Sequence, residues 1–201
     1  MKARPPPYEI FFNPLAATGP SERELIGFAY VCSKYGHGKQ KRDDGRRYFD
    51  HPKGAAWIYI HELGGRDARI ICVTLLHDVP EDTYLLSPYR LALNFGEDIA
   101  LDTLALKKLP KDKETVEQYL GRIIDRGPRA ILAKLLDCLD NLRDLAGCTP
   151  EKRAKTIEEK QKYHLRILVP ALRKCGANYA PLATEIEKLL KSAIADARGL
   201  A

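Results

Sequence analysis

No stretch of this chain approaches the ~20 consecutive apolar residues of a membrane-spanning helix. Its opening, MKARPPPYEIFFNPL, lacks the apolar core of a secretory signal because prolines interrupt it. Cys32, Cys72, Cys138, Cys148 and Cys175 form an odd set without CxxC spacing. That speaks against a disulfide framework, and three of the five lie in apolar runs where a thiol behaves as a small hydrophobe. A reducing, cytoplasmic setting is the expectation. Neither GxGxxG nor GxxxxGK[ST] occurs, so neither a dinucleotide fold nor a P-loop is indicated. No segment alternates polar and apolar residues convincingly, which leaves no candidate β-strand.

What is present is charge and helical periodicity. The 201 residues carry 33 Lys+Arg against 27 Asp+Glu, a net charge of +6. This excess favours anionic partners, but a solvated basic surface explains it more simply than a nucleic-acid-binding face. The length suits one domain with a substantial core. Residues 1–20 read as a leader and 21–201 as the domain.

The helix signals recur along the chain. Ser21, with Glu24 three residues on, has the spacing of a capping box. Asp67 is a natural cap for DARIICVTLLHD, which is expected to end near Asp78 because the residue before Pro80 avoids the α region. A further helix runs from Pro128 to a stop at Gly147. PEKRAKTIEEKQKYHLRIL and PLATEIEKLLKSAIADA supply two more. The fold class is all-α.

Chemistry concentrates in LLHDVPEDT, residues 75–83, where an apolar run ends in His77, Asp78, Glu81 and Asp82. Charge at the end of a buried element needs a partner. Two other places offer one: His51, in RRYFDHPKGAAW, and Asp137, inside the apolar AILAKLLDCLDNL. Alone, each reads as an ordinary capping or ion-paired residue. Together, two imidazoles and two carboxylates make a mixed N/O donor set suited to Mn, Fe, Co, Ni or Zn.

Five motifs occur in order: HGKQKRDDGRRYFDHP, LLHDVPEDT, Phe95-Gly96, KKL at 107–109 and KLLDCLDNLRDL at 134–145. With them the chain resembles the HD superfamily of metal-dependent phosphohydrolases. It is most similar to the branch of alarmone (ppGpp) hydrolases related to the Rel/Spo hydrolase domain. The resemblance runs from about residue 20 to 176. It implies a helical HD domain of about eight to ten helices. It also implies His51, His77, Asp78 and Asp137 as ligands of one Mn²⁺, another divalent transition metal being open. Glu81 and Asp82 would orient or deprotonate the attacking water. Arg42 would contact the base and Asn141 the sugar region. Arg46 and Lys134 could contact phosphate, against a solvated loop for Arg46 and, more simply, a structural ion pair for Lys134. The implied partner is a small-molecule nucleotide, and the implied reaction removes the 3′-pyrophosphate of a ppGpp-like alarmone.

Several positions depart from that pattern. Asp43, Cys138, Asp140 and Asp144 stand where the branch has lysine, arginine, histidine and threonine, and Leu168 stands where it often has tyrosine. Two other readings therefore stay open: an HD nucleotidase acting on a 5′-monophosphate, and a degenerate HD domain that senses a nucleotide without turning it over. No feature sets an oligomeric state.

Overall fold

Proline and glycine set many of the helix boundaries in the computed structural model, which describes residues 6–42, 44–110 and 112–199. Proline enters the first turn of α2 (Pro20–Gly36), α6 (Pro88–Phe95), α9 (Pro128–Arg143) and α10 (Pro150–Glu159). There its missing N–H forfeits no helical bond. Gly96 separates α6 from α7 (Glu97–Leu106) and Gly127 separates α8 (Val116–Arg126) from α9. Their φ values of 82° and 106° lie where a side chain would be strained.

The remaining elements are α1 (Tyr8–Phe12), α3 (Asp50–Trp57), α4 (Ala68–Leu76), α5 (Val79–Asp82), α11 (Val169–Lys174) and α12 (Ala180–Arg198). A π-helical stretch, Lys160–Leu168, joins α10 to α11, and another, Ile58–Glu62, extends α3. Among the described residues the one β pairing is an isolated antiparallel bridge between Lys41 and Arg47. The fold is all-α, as the periodicity indicates.

Three boundaries differ from the sequence reading. α2 begins at Pro20, and its cap is Gly19, whose N–H donates to the Glu22 carboxylate at 3.3 Å, so Ser21 lies inside the helix. α4 starts after Asp67 as expected, with that carboxylate accepting from the Arg69 N–H at 2.8 Å, but it ends at Leu76. Pro80 then falls in the first turn of α5 and helps begin a helix where a break was expected. α9 ends at Arg143, followed by a 3₁₀ turn, Leu145–Gly147.

The core is organised around α9, which packs against α3, α4, α7, α8, α11 and α12. From Ala130 to Asp140 every one of its residues is buried, the pattern of a helix enclosed on all sides. Lys134, Asp137 and Asn141 on it are spaced three and four residues apart and so stack along one stripe, and Asp140, three residues on from Asp137, stands beside it. Residues 8–15, within the stretch read as a leader, also contribute to the core. Phe11 and Leu15 are fully buried, and the Phe11 ring packs on Tyr30 and Trp57. Each such side chain contributes about 1.5–3 kcal/mol of burial. All five cysteines are free thiols. Among the described residues no helix is long and apolar enough to cross a membrane.

Candidate active site and metal centre

Three helix ends and the middle of α9 bring the polar groups together. The first turn of α3 carries His51, the residue after α4 is His77 with Asp78 next to it, and α9 carries Asp137. His51 Nε2 lies 3.1 Å from Asp137 Oδ1 and 3.7 Å from Asp78 Oδ2. His77 Nε2 lies 3.0 Å from Asp78 Oδ2 and 3.7 Å from Asp137 Oδ1. Donor atoms of His51, His77 and Asp78 all fall within 4.8 Å of one another.

Both imidazoles are fixed from behind. His77 Nδ1 lies 2.8 Å from the Thr74 carbonyl, which makes it the protonated nitrogen, and His51 Nδ1 lies 2.7 Å from Asp140 Oδ2. Each ring thus turns its Nε2 toward the shared space. The buried Nε2 of His77 has no hydrogen-bond partner. Two inward-facing nitrogens, one of them orphaned, and two carboxylates fit a divalent cation.

The electrostatics agree. Burial disfavours a charged His77, yet Asp78 beside it raises the imidazole to about 9. His51 is raised against burial by Asp137 and Asp140. Burial pushes Asp78 and Asp137 up, but His77 on the first and Lys134 on the second hold both carboxyls well below their usual range. Both shifts favour the protonated imidazole, so protons and a cation compete for the same nitrogens. Tyr48, whose phenol is raised by burial and by Asp78, donates to Asp78 Oδ2 at 2.9 Å.

A cleft runs outward from this centre. Its inner part, about 160 Å³, is lined by His51, Asp78, Asp137, Glu81, Asp82 and three lysines, Lys108, Lys134 and Lys160. Glu81 Oε2 accepts from the Lys108 backbone N–H at 3.0 Å, while the Asp82 carbonyl accepts from Gln40 at 2.7 Å. Lys134 donates to Asp137 Oδ2 at 2.7 Å, which closes an ion pair beside the cleft. Lys108 is pushed down by Lys134 and by burial.

The outer part, about 340 Å³, shares Arg42, Tyr48, Lys108, Asn141 and Lys160 with the inner one and adds Asp44, Arg46 and Asp144. Arg42 donates to Asn141 Oδ1 at 2.8 Å, and Arg46 spans Asp44 and Asp144. Asp43 lies outside the described residues. The structure therefore brings together His51, Asp78, Asp137, Glu81, Asp82, Arg42, Asn141, Lys134 and Arg46 along one cleft, with His77 buried against Asp78 and Asp137 behind its floor. Sequence reasoning missed Lys108 and Lys160. Lys108 stood inside the KKL motif without a role, and Lys160 carried no signal. Asp140 was noted only as a departure.

No family model matches the chain. A protein of Aquifex aeolicus named guanosine-3′,5′-bis(diphosphate) 3′-pyrophosphohydrolase is 38% identical over 145 residues, 70% of this chain and 20% of its own length. The chain thus spans a fifth of that relative. Shorter relatives of the same name, designated MESH1, match more of their length. The human one is 36% identical over 128 residues (61% of this chain, 69% of its own), and that of Xenopus tropicalis 38% over 136 (65% and 75%). Among solved structures, a metazoan ortholog of SpoT, reported to hydrolyse ppGpp, superimposes with a TM-score of 0.70 at 28% identity, covering 92% of this chain and all of that one.

Proposed function

The chain belongs to the family of guanosine-3′,5′-bis(diphosphate) 3′-pyrophosphohydrolases, and on that premise we propose that it removes the 3′-pyrophosphate of a ppGpp-like nucleotide with the help of Mn²⁺. The observation that carries this reading is the cleft itself. His51, Asp78 and Asp137 meet at its floor with His77 buried behind Asp78, and Lys108, Lys134 and Lys160 surround that floor with positive charge.

His51, His77, Asp78 and Asp137 would hold the cation. Such an ion supplies, when bound, a lowered pKa for water and neutralisation of phosphate charge. The chain's own groups do the rest. Glu81, anchored by the Lys108 N–H, and Asp82 stand at the cleft wall, where a carboxylate can orient the attacking water and take its proton. Tyr48 holds Asp78 in place through its hydroxyl. The lysines offset the charge of the pyrophosphate, a role that needs several cations because each phosphate brings its own charge. Arg42 and Asn141 lie between the floor and the outer pocket, where the nucleoside would rest. The Arg46 guanidinium, already paired to Asp44 and Asp144, shapes the base end of that pocket. All five cysteines being free suits work in a reducing cytoplasm.

A substrate panel tests the reading: ppGpp, its adenosine counterpart and simple 5′-nucleotides, with pyrophosphate and orthophosphate resolved as products. Pyrophosphate from a 3′-pyrophosphorylated nucleotide is the expected product. Orthophosphate from a 5′-monophosphate would contradict it.

A further inference from the structure

The two imidazoles of the metal centre are held by unlike partners. His77 leans on a neutral backbone carbonyl, that of Thr74, at 2.8 Å. His51 leans on a side-chain carboxylate, that of Asp140, at the shorter distance of 2.7 Å. Asp140 is completely buried in α9, one turn on from Asp137. A carboxylate in that position is costly unless it is paired. Facing an imidazole N–H, it forms a charge-assisted bond, which is the strong kind.

We propose that Asp140 is a positioning residue of the metal centre. Its carboxylate accepts the Nδ1–H of His51, so the lone pair of Nε2 points at the space shared with Asp78 and Asp137. It also drives electron density toward that nitrogen, which makes His51 the stronger imidazole donor of the two. An orienting carboxylate behind a metal-bound histidine is a general device, and losing one costs about ten- to a hundredfold in metal affinity. Asp140 does not touch substrate on this account; it acts through His51. The inference rests on the proposed function only in that a cation occupies the centre.

The test uses the full chain stripped of metal with a chelator, followed by competition titration with Mn²⁺. Asp140→Asn preserves shape and can still accept from Nδ1–H but removes the charge, while Asp140→Ala removes both. The thermal midpoint of each stripped protein reports folding. The expected result is a folded Asp140→Asn protein whose Mn²⁺ affinity falls about ten- to a hundredfold, with turnover recovering at saturating Mn²⁺ and KM for the nucleotide unchanged. Such rescue by metal separates positioning from a structural role. A folded Asp140→Asn protein with unaltered affinity would overturn the proposal. So would variants that fail to fold, since Asp140 would then be a structural residue. If the unsubstituted chain itself binds no Mn²⁺, the proposed function fails first, an outcome distinct from unaltered variants.

Discussion

Asn141 Nδ2 donates to Asp137 Oδ1 at 2.6 Å, and the same amide's oxygen accepts from Arg42 at 2.8 Å. One side chain thus ties the carboxylate at the cleft floor to the arginine that faces the outer pocket. The oxygen it steadies is also the one 3.1 Å from His51 Nε2. Asn141→Ala is expected to lower kcat/KM by about 10–100-fold, the worth of a hydrogen bond to a charged group. Mn²⁺ content is expected to persist, because Asp137 keeps its bond from Lys134. Steady-state kinetics with metal analysis on one preparation checks both halves.

Removing Asp137 acts on two levels. Its other oxygen pairs with Lys134, and both side chains are more than nine-tenths buried. Asp137→Ala should abolish Mn²⁺ binding and turnover. It should also destabilise the metal-free chain by about 3–5 kcal/mol, because a buried ammonium loses its counter-charge. Denaturant unfolding of the stripped proteins reads the second effect without interference from the first. Unfolding at the unsubstituted midpoint would mean that the pair is not closed in solution.

The lysines of the inner cleft are expected to act on binding more than on the chemical step. Lys160 is buried, lines both parts of the cleft and sits at the start of the π-helical stretch. Lys160→Met keeps most of the aliphatic stem and removes the charge. We expect KM for a 3′-pyrophosphorylated nucleotide to rise roughly tenfold, with a much smaller change in kcat. A nucleoside without phosphate should lose no affinity, which inhibition by the free nucleoside measures.

A fourth substitution marks off the fold from the site. Asp102 in α7 is buried and pinned between Arg126 and Arg129 at 2.7 and 2.6 Å. Its arginine partners are roughly a quarter exposed, so water offsets part of the loss when it is removed. Asp102→Ala should cost about 1–3 kcal/mol of stability and leave kcat/KM unchanged below the unfolding transition. A large drop in turnover by the folded variant would show that α7 influences the cleft.

The sequence carried the fold class because apolar positions at helical spacing need no tertiary context. It also put His77, Asp78 and Asp137 forward as candidates, since charged groups at the end or middle of apolar runs stand out against their surroundings; His51, in RRYFDHPKGAAW, joined them as an imidazole just before a helix. Lys160 did not stand out: in EEKQKYHLRIL it looks like any lysine on a solvated face, and only the packing of the π-helical stretch against α9 buries it. Asp140 was visible but read as a loss, because its value lies in the Nδ1 of a histidine 89 positions earlier. The boundary errors at Ser21 and Pro80 share one cause. Proline in a first helical turn begins a helix as readily as it ends one.

We propose that one cation, held by His51, His77, Asp78 and Asp137, makes the cleft a pyrophosphohydrolase. The most direct measurement adds Mn²⁺ stepwise to the stripped chain and records bound metal and pyrophosphate release from ppGpp at each step. Turnover is expected to be absent at the start, to rise in proportion to bound metal and to level off at one ion per chain. Full turnover by the stripped chain, or saturation with metal without any pyrophosphate released, would contradict it.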